Sequence, residues 1–138
     1  MEGSLIMRIL LIDDDPVALA TLELLLKKNV GSCDTASSGI HATECLVKAI
    51  GDNQPYDLIT IDIELPDITG LDLLTRFYQL EHKNGITPAK KIIITAHSKP
   101  DYVIKSRDKC DAFLVKPIRK VPLLEKINEL FPSGKQAS

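Results

Sequence analysis

The 138-residue chain predicts a doubly wound α/β domain, a parallel sheet covered by helices on both faces. Two observations carry this. Short apolar runs alternate with longer segments of helical period, and the runs are apolar almost throughout, as strands buried on both faces must be. A third supports it: several runs are followed at once by a polar residue, which in a parallel sheet collects those residues along one edge, where ligands bind.

MRILLI (residues 7–12) reads as the first strand. Residues 16–28 follow as a helix with Asp15 as N-cap and Pro16 at its first position, Val17, Leu19, Ala20, Leu22, Leu24, Leu25 and Leu26 forming a broad apolar face. SCDTA (32–36) is a weak, half-polar strand, and 39–50 is a helix with Ile40, Leu46, Val47 and Ile50 inward. YDLITI (56–61) is the third strand, and Pro66 and Gly70 in the loop after it mark turn geometry. A helix over 71–80, a strand over 91–95, a short polar helix near 100–108, a strand over 112–115 and a helix over 121–130 complete the alternation.

Composition narrows the function classes. The chain is 44% hydrophobic and 26% charged, with a formal charge of -2, which suits one globular domain and argues against nucleic-acid binding through the whole surface. No apolar run nears the roughly 18 residues that span a bilayer, so no membrane association is expected and a cytoplasmic location is. Cys33, Cys45 and Cys110 lack metal-like or C-x-x-C spacing and are expected to be reduced and mostly buried.

The strand ends carry the chemistry. Strand one delivers Asp13 and Asp14, strand three Asp62, strand four Thr95 and strand five Lys116 to one edge. Three carboxylates on one rim make a hard, oxygen-rich site suited to Mg2+, which takes one or two protein carboxylates and keeps several waters. A carboxylate left over can act as a nucleophile, and Asp62, alone at the end of the central strand, is the best candidate. Lys116 and Thr95 would then contact phosphoryl oxygens, as charge and hydrogen-bond donor. Taken singly, each residue has a plainer explanation: Thr95 as a β-former, Lys116 as an exposed strand end, Asp62 as the cap of a turn. One phosphate site explains all of them together.

LLIDDDP, DLITIDIELPDITGLDLL, IIITA and AFLVKPI, in this order, resemble the receiver domain of two-component response regulators. The resemblance runs from about residue 7 to 131, leaving 1–6 as an extension or tag and 132–138 as a tail. It implies a flavodoxin-like sheet of five strands in order 2-1-3-4-5. It also implies that Asp62 accepts a phosphoryl group from a sensor histidine kinase or histidine phosphotransfer protein. Asp14 would ligate Mg2+ directly, with Mn2+ or Ca2+ able to substitute, Asp13 largely through water, and the backbone carbonyl of Glu64 would complete the protein ligands. Thr95 would be the switch hydroxyl and Phe113 the switch aromatic. The domain would be a phosphoacceptor, catalysing only its own phosphorylation and dephosphorylation. The Lys116–Pro117 bond would be cis, although only about 5–6% of X-Pro bonds are. Output would go to a downstream protein or attached domain, or a second copy, through the face of segment 100–108, strand 112–115 and the last helix.

RDKCDAF departs from the family at Lys109 and Cys110, where a Gly-Ala pair is usual. A metal-dependent phosphatase of the haloacid-dehalogenase type is an alternative, but it would want an aspartate where Glu64 stands. A pseudo-receiver that only binds is another, against which the complete acid, hydroxyl and lysine set argues. The chain reads either as a stand-alone receiver or as a piece of a larger regulator or hybrid kinase. Between residues 99 and 120 seven cationic residues, Lys99, Lys105, Arg107, Lys109, Lys116, Arg119 and Lys120, stand against Asp101, Asp108 and Asp111. That excess predicts an acidic partner or self-association there, weakened by salt, rather than direct DNA binding.

Overall fold

The structure, a computed structural model, describes residues 7–96 and 108–132. Five strands, β1 (Met7–Ile12), β2 (Gly31–Ala36), β3 (Leu58–Ile61), β4 (Lys90–Thr95) and β5 (Ala112–Val115), form one parallel sheet in the order β2-β1-β3-β4-β5. The helices among the described residues are α1 (Pro16–Asn29), α2 (Gly39–Gly51), α3 (Gly70–Lys83) and α4 (Lys120–Leu130). The short helix expected near 100–108 lies outside the described residues except for Asp108, which sits in a turn.

Alternation along the strands divides the core in two. Leu10 and Ile12 of β1, with Ile59, Ile61 and Ile93, face Ala42, Leu46 and Ala49 of α2 and Leu73, Leu74 and Phe77 of α3. Met7, Ile9 and Leu11, with Leu58, Ile92 and Ile94, face Leu22 and Leu26 of α1 and Leu123 and Ile127 of α4. β1, β3 and β4 read as near-continuous apolar runs because both of their faces are buried, whereas the edge strand β2 alternates with exposed residues. At roughly 25 cal/mol per Å² of apolar surface removed from water, these two layers supply most of the stabilisation of the fold.

The helices bury narrower stripes than their sequences suggest. Val17 is 71% exposed and Leu24 60%, and Ala20 is exposed with them. At about 100° per residue these three fall opposite Leu22 and Leu26, the positions that reach the sheet. Ile40 and Val47, expected inward, are 63% and 51% exposed, on the side of α2 away from Ala42, Leu46 and Ala49. The strand expected to start at Tyr56 begins at Leu58, and α3 runs three residues past the expected Leu80. All three cysteines are free and half-buried rather than mostly buried, and burial pushes the Cys33 thiol up to about 11. Asp15 caps α1 as expected, its carboxylate accepting from Val17 N–H at 3.0 Å.

One polar device lies inside the fold, at the end of the sheet where β4 begins. The side chains of Lys91 and Glu81 are 0% and 1% exposed, and Lys91 Nζ donates to Glu81 Oε1 at 2.7 Å. Lys91 Nζ also donates to the carbonyl of Ala89 at 2.8 Å and lies 4.0 Å from the centre of the Tyr78 ring. Glu81 Oε2 accepts from Ala89 N–H at 2.8 Å, so both ions are hydrogen-bonded on every side that matters. Burial pulls the Lys91 pKa down and the Glu81 carboxylate opposes it. Glu81→Leu should cost about 3–5 kcal/mol in urea unfolding, because it strands a buried ammonium, and adding Lys91→Met should recover most of the loss. A single variant as stable as the parent would contradict this account of the pair.

Candidate functional site

Every strand of a parallel sheet points the same way, so the residues after β1, β3 and β5 meet at one edge. The register that pairs Ile12 with Ile61 continues one residue further, and Asp62 N–H donates to the Ile12 carbonyl at 3.0 Å. Asp13 is held from the other side, its N–H donating to Ala36 O at 3.1 Å. Lys116 enters through its own N–H, which donates to the Thr95 carbonyl at 2.8 Å. The Lys116–Pro117 bond that follows is cis.

Lys116 Nζ reaches Asp13 Oδ2 at 2.6 Å and Asp62 Oδ2 at 3.1 Å. Both carboxylates are nearly sealed from solvent, Asp13 at 2% and Asp62 at 6% exposure, and one ammonium serves two acids. The second oxygen of each takes a backbone donor: Asp15 N–H on Asp13 Oδ1 at 2.9 Å and Glu64 N–H on Asp62 Oδ1 at 3.1 Å. Burial raises the Asp13 pKa, against the opposing hydrogen bonds from Lys116 and the Asp15 backbone, and the charge of Asp62 raises it further. Lys116 is pulled down by burial but ends above its ordinary value, because the hydrogen bonds to Asp13 and Asp62 outweigh that cost.

Asp14 completes the acidic group. It is exposed, yet one carboxylate oxygen from each of Asp13, Asp14 and Asp62 lies within 4.8 Å of the others. A set of oxygens that close, two buried and one open to water, fits a hard divalent cation that keeps part of its hydration shell. Glu64 joins through its backbone N–H, and its side chain is exposed.

Thr95 is fully buried at the end of β4. Its register partner is Val115, and Ile93 pairs with Phe113, so Thr95 and Phe113 share one face of the sheet, two residues apart along the ladder. That face is the one covered by α2 and α3, where half-buried Phe113 packs. Of the basic stretch between 99 and 120, Lys99, Asp101, Lys105 and Arg107 lie outside the described residues. Lys116 does not belong to a basic surface, since it turns inward to the two aspartates.

The loop after β3 has a feature beyond its turn residues. It folds back on itself, with Gly70 N–H donating to Ile63 O at 2.7 Å and a bridge between Glu64 and Thr69. A side chain at Gly70 would overlap the Asp62 carbonyl and the backbone of Ile63, so glycine is required there by close approach. The sequence marks the position only as a turn signal.

Fold and edge together define a class: a doubly wound domain whose sheet edge carries a carboxylate cluster gathered by a lysine. The family model described as the response regulator receiver domain matches residues 9–128, and the chain belongs to that family of two-component signalling domains. The cell cycle transcriptional regulator CtrA of Caulobacter vibrioides is 32% identical over 133 residues, covering 94% of this chain and 52% of the relative. Hybrid signal transduction histidine kinase B of Dictyostelium discoideum is 32% identical over 128 residues, 85% of this chain but 6% of the relative. The chain thus spans about half, or far less, of the length of these relatives. Among solved structures, a CheY-like receiver domain protein from Methanospirillum hungatei JF-1 is 27% identical, with a TM-score of 0.77 over 96% of this chain and 99% of the other. Response regulator TrrA from Thermotoga maritima, solved in complex with Mg2+ and BeF, is 30% identical, with a TM-score of 0.73 over 91% of this chain and 99% of the other. None of the helices among the described residues is long and apolar enough to cross a membrane.

Gly70→Ala should destabilise the protein by about 1–3 kcal/mol and displace the Asp62 and Glu64 amide resonances in a 15N–1H spectrum. Unmoved resonances in a variant of parental stability would show that the backbone around Gly70 has room that its geometry denies.

Proposed function

We propose that Asp62 is the phosphoacceptor of this receiver domain and that Asp13, Asp14 and Asp62 hold the Mg2+ the transfer needs, the backbone carbonyl of Glu64 completing the protein ligands. The observation that carries this reading is the single ammonium of Lys116 standing 2.6 Å from Asp13 Oδ2 and 3.1 Å from Asp62 Oδ2. A third carboxylate, Asp14, has an oxygen within 4.8 Å of those of Asp13 and Asp62 and is open to solvent, which supplies the water-accessible ligand a hydrated cation would take. When bound, Mg2+ neutralises charge that develops on the transferred group.

The chain's own residues do the rest. An Asp62 carboxylate oxygen attacks phosphorus, the P–N bond of a phosphohistidine donor breaks, and the electron pair leaves on the imidazole nitrogen. A carboxylate nucleophile needs no general base. Lys116, already on Asp62 Oδ2, follows the negative charge onto the incoming phosphoryl oxygens and holds them by charge and hydrogen bond. Thr95 would donate its hydroxyl to the same group from the neighbouring strand end, and a turn of Phe113 on the shared face would carry the change outward. The donor is a sensor histidine kinase or a histidine phosphotransfer protein. Beside Lys116 a groove of about 400 Å³, lined by Asp15, Val17, Ala18, Thr21, Pro117 and Ile118, gives a donor access to the edge. The reader of the phosphorylated state is a downstream protein, an attached domain or a second copy, engaging the face that includes β5 and α4. The TrrA structure, solved with Mg2+ and BeF, supports the metal assignment by likeness.

Incubated with Mg2+ and acetyl phosphate, the protein should gain the mass of one phosphoryl group, and Asp62→Asn should gain none. Asp14→Ala should fold but lose Mg2+ binding, since it removes a ligand and relieves repulsion. A phosphoryl group on the Asp62→Asn variant, or an unchanged Mg2+ titration of Asp14→Ala, would contradict the assignment.

A further inference from the structure

Asp67 lies five residues beyond Asp62 in the loop after β3, and its carboxylate does not point toward the acidic cluster. Instead Oδ1 accepts from Gly39 N–H and Oδ2 from Ile40 N–H, each at 2.8 Å, so the two oxygens take two adjacent donors at the start of α2. The third donor of that turn, His41 N–H, goes to Ser38 Oγ at 3.1 Å. A helix N-terminus is thereby closed with one cap from its own segment and one from 28 residues away. The backbone of Gly39 has no room for a side chain, because a Cβ there would overlap Ile68 Cγ2 and crowd the Asp67 carboxylate. The donated bond from Gly39, followed by that from Ile40, holds the Asp67 carboxyl below the usual carboxylate range. Residues 67 and 68 are therefore seated on α2 by both charge and shape.

The loop so seated is short and tied at its other points too. Its first residue is Asp62, its third is Glu64, whose N–H holds Asp62 Oδ1, and it closes through the Glu64–Thr69 bridge and the Gly70 bond to Ile63. Every one of those contacts lies inside the loop or at its base, whereas the Asp67 pair reaches a separate helix. α2 packs on the sheet through Ala42, Leu46 and Ala49 and gives the loop a fixed point outside itself.

We infer that Asp67 is a positioning residue for the phosphoacceptor site, fixing the loop that presents Asp62 and the Glu64 carbonyl to the cation by anchoring it across the first two backbone N–H groups of α2. The inference rests on the phosphoacceptor reading above for its functional meaning. Its mechanism is distinct, since a cap that merely stabilised α2 would leave the cation site untouched.

The test compares the parent with Asp67→Ala and Asp67→Asn in Mg2+ affinity by calorimetric titration, phosphorylation rate by acetyl phosphate against Mg2+ concentration, and amide exchange at Gly39 and Ile40. Asp67→Ala should speed exchange at both amides, weaken Mg2+ binding by about five- to tenfold, the scale of a lost cap, and raise the Mg2+ needed for half-maximal rate by the same factor. The rate at saturating Mg2+ should stay near that of the parent, because Asp62, Thr95 and Lys116 are intact. Asp67→Asn keeps one accepting oxygen and should fall between the two, which also serves if the alanine variant fails to fold. Faster amide exchange with unchanged Mg2+ affinity would overturn the inference and leave Asp67 as a helix cap. A parent that binds Mg2+ but takes no phosphoryl group would refute the phosphoacceptor reading instead, while the Mg2+ and exchange arms would still decide the role of Asp67.

Discussion

The molecule is organised around one electrostatic constraint: two buried carboxylates, Asp13 and Asp62, share the ammonium of Lys116. Two like charges about 4 Å apart repel by roughly 4 kcal/mol at an effective dielectric near 20, so keeping both groups charged while sealed from water calls for a cation between them. The sheet makes the meeting unavoidable, since three parallel strands end there and the register of β1 with β3 sets Asp13 beside Asp62. Lys116 relieves the repulsion only in part. Asp14 adds a third acid at the solvent side, and the site keeps a net negative charge that favours a divalent cation.

The opposite end of the sheet shows the same chemistry resolved differently. Lys91 and Glu81 are as buried as any leucine in the core, yet each ion finds its hydrogen bonds nearby, and the count of charges is even. That pair has nothing left to bind. At the other edge three acids face one lysine, which leaves the excess negative charge that the proposed cation would meet. A ring of loop contacts around Asp62, from Gly70 at its back to Asp67 on α2, holds the imbalance in one geometry. Preorganisation of this kind would serve the proposed cation, because a site that rearranged on binding would lose part of the binding energy to that change.

Much of this was legible in the sequence. Continuous apolar runs predict the parallel sheet, and the residue after each run places Asp13, Asp62 and Lys116 at one edge, where the structure has them. Helix faces were less legible: Val17, Leu24, Ile40 and Val47 are apolar but lie opposite the stripes that reach the sheet, and hydrophobicity alone does not say which side of an apolar helix wins. Asp67 was invisible as an anchor because its partners, Gly39 and Ile40, are backbone donors that any residue carries. Lys91 was just as hard to read. Two lysines precede the buried isoleucines of β4, and nothing in the order of residues says that Lys90 is exposed while Lys91 is buried, or that the partner of Lys91 is Glu81, ten positions earlier on a helix.

The claim that Lys116 and a divalent cation answer the same electrostatic need can be tested directly by measuring unfolding of the parent and of Lys116→Met with and without Mg2+. Without Mg2+ the variant should be less stable, because Asp13 and Asp62 face each other with no cation between them. Added Mg2+ should then stabilise the variant more than the parent, by on the order of 1 kcal/mol, since the cation meets a full extra negative charge. An Mg2+ increment equal in the two proteins, or smaller in the variant, would contradict the account.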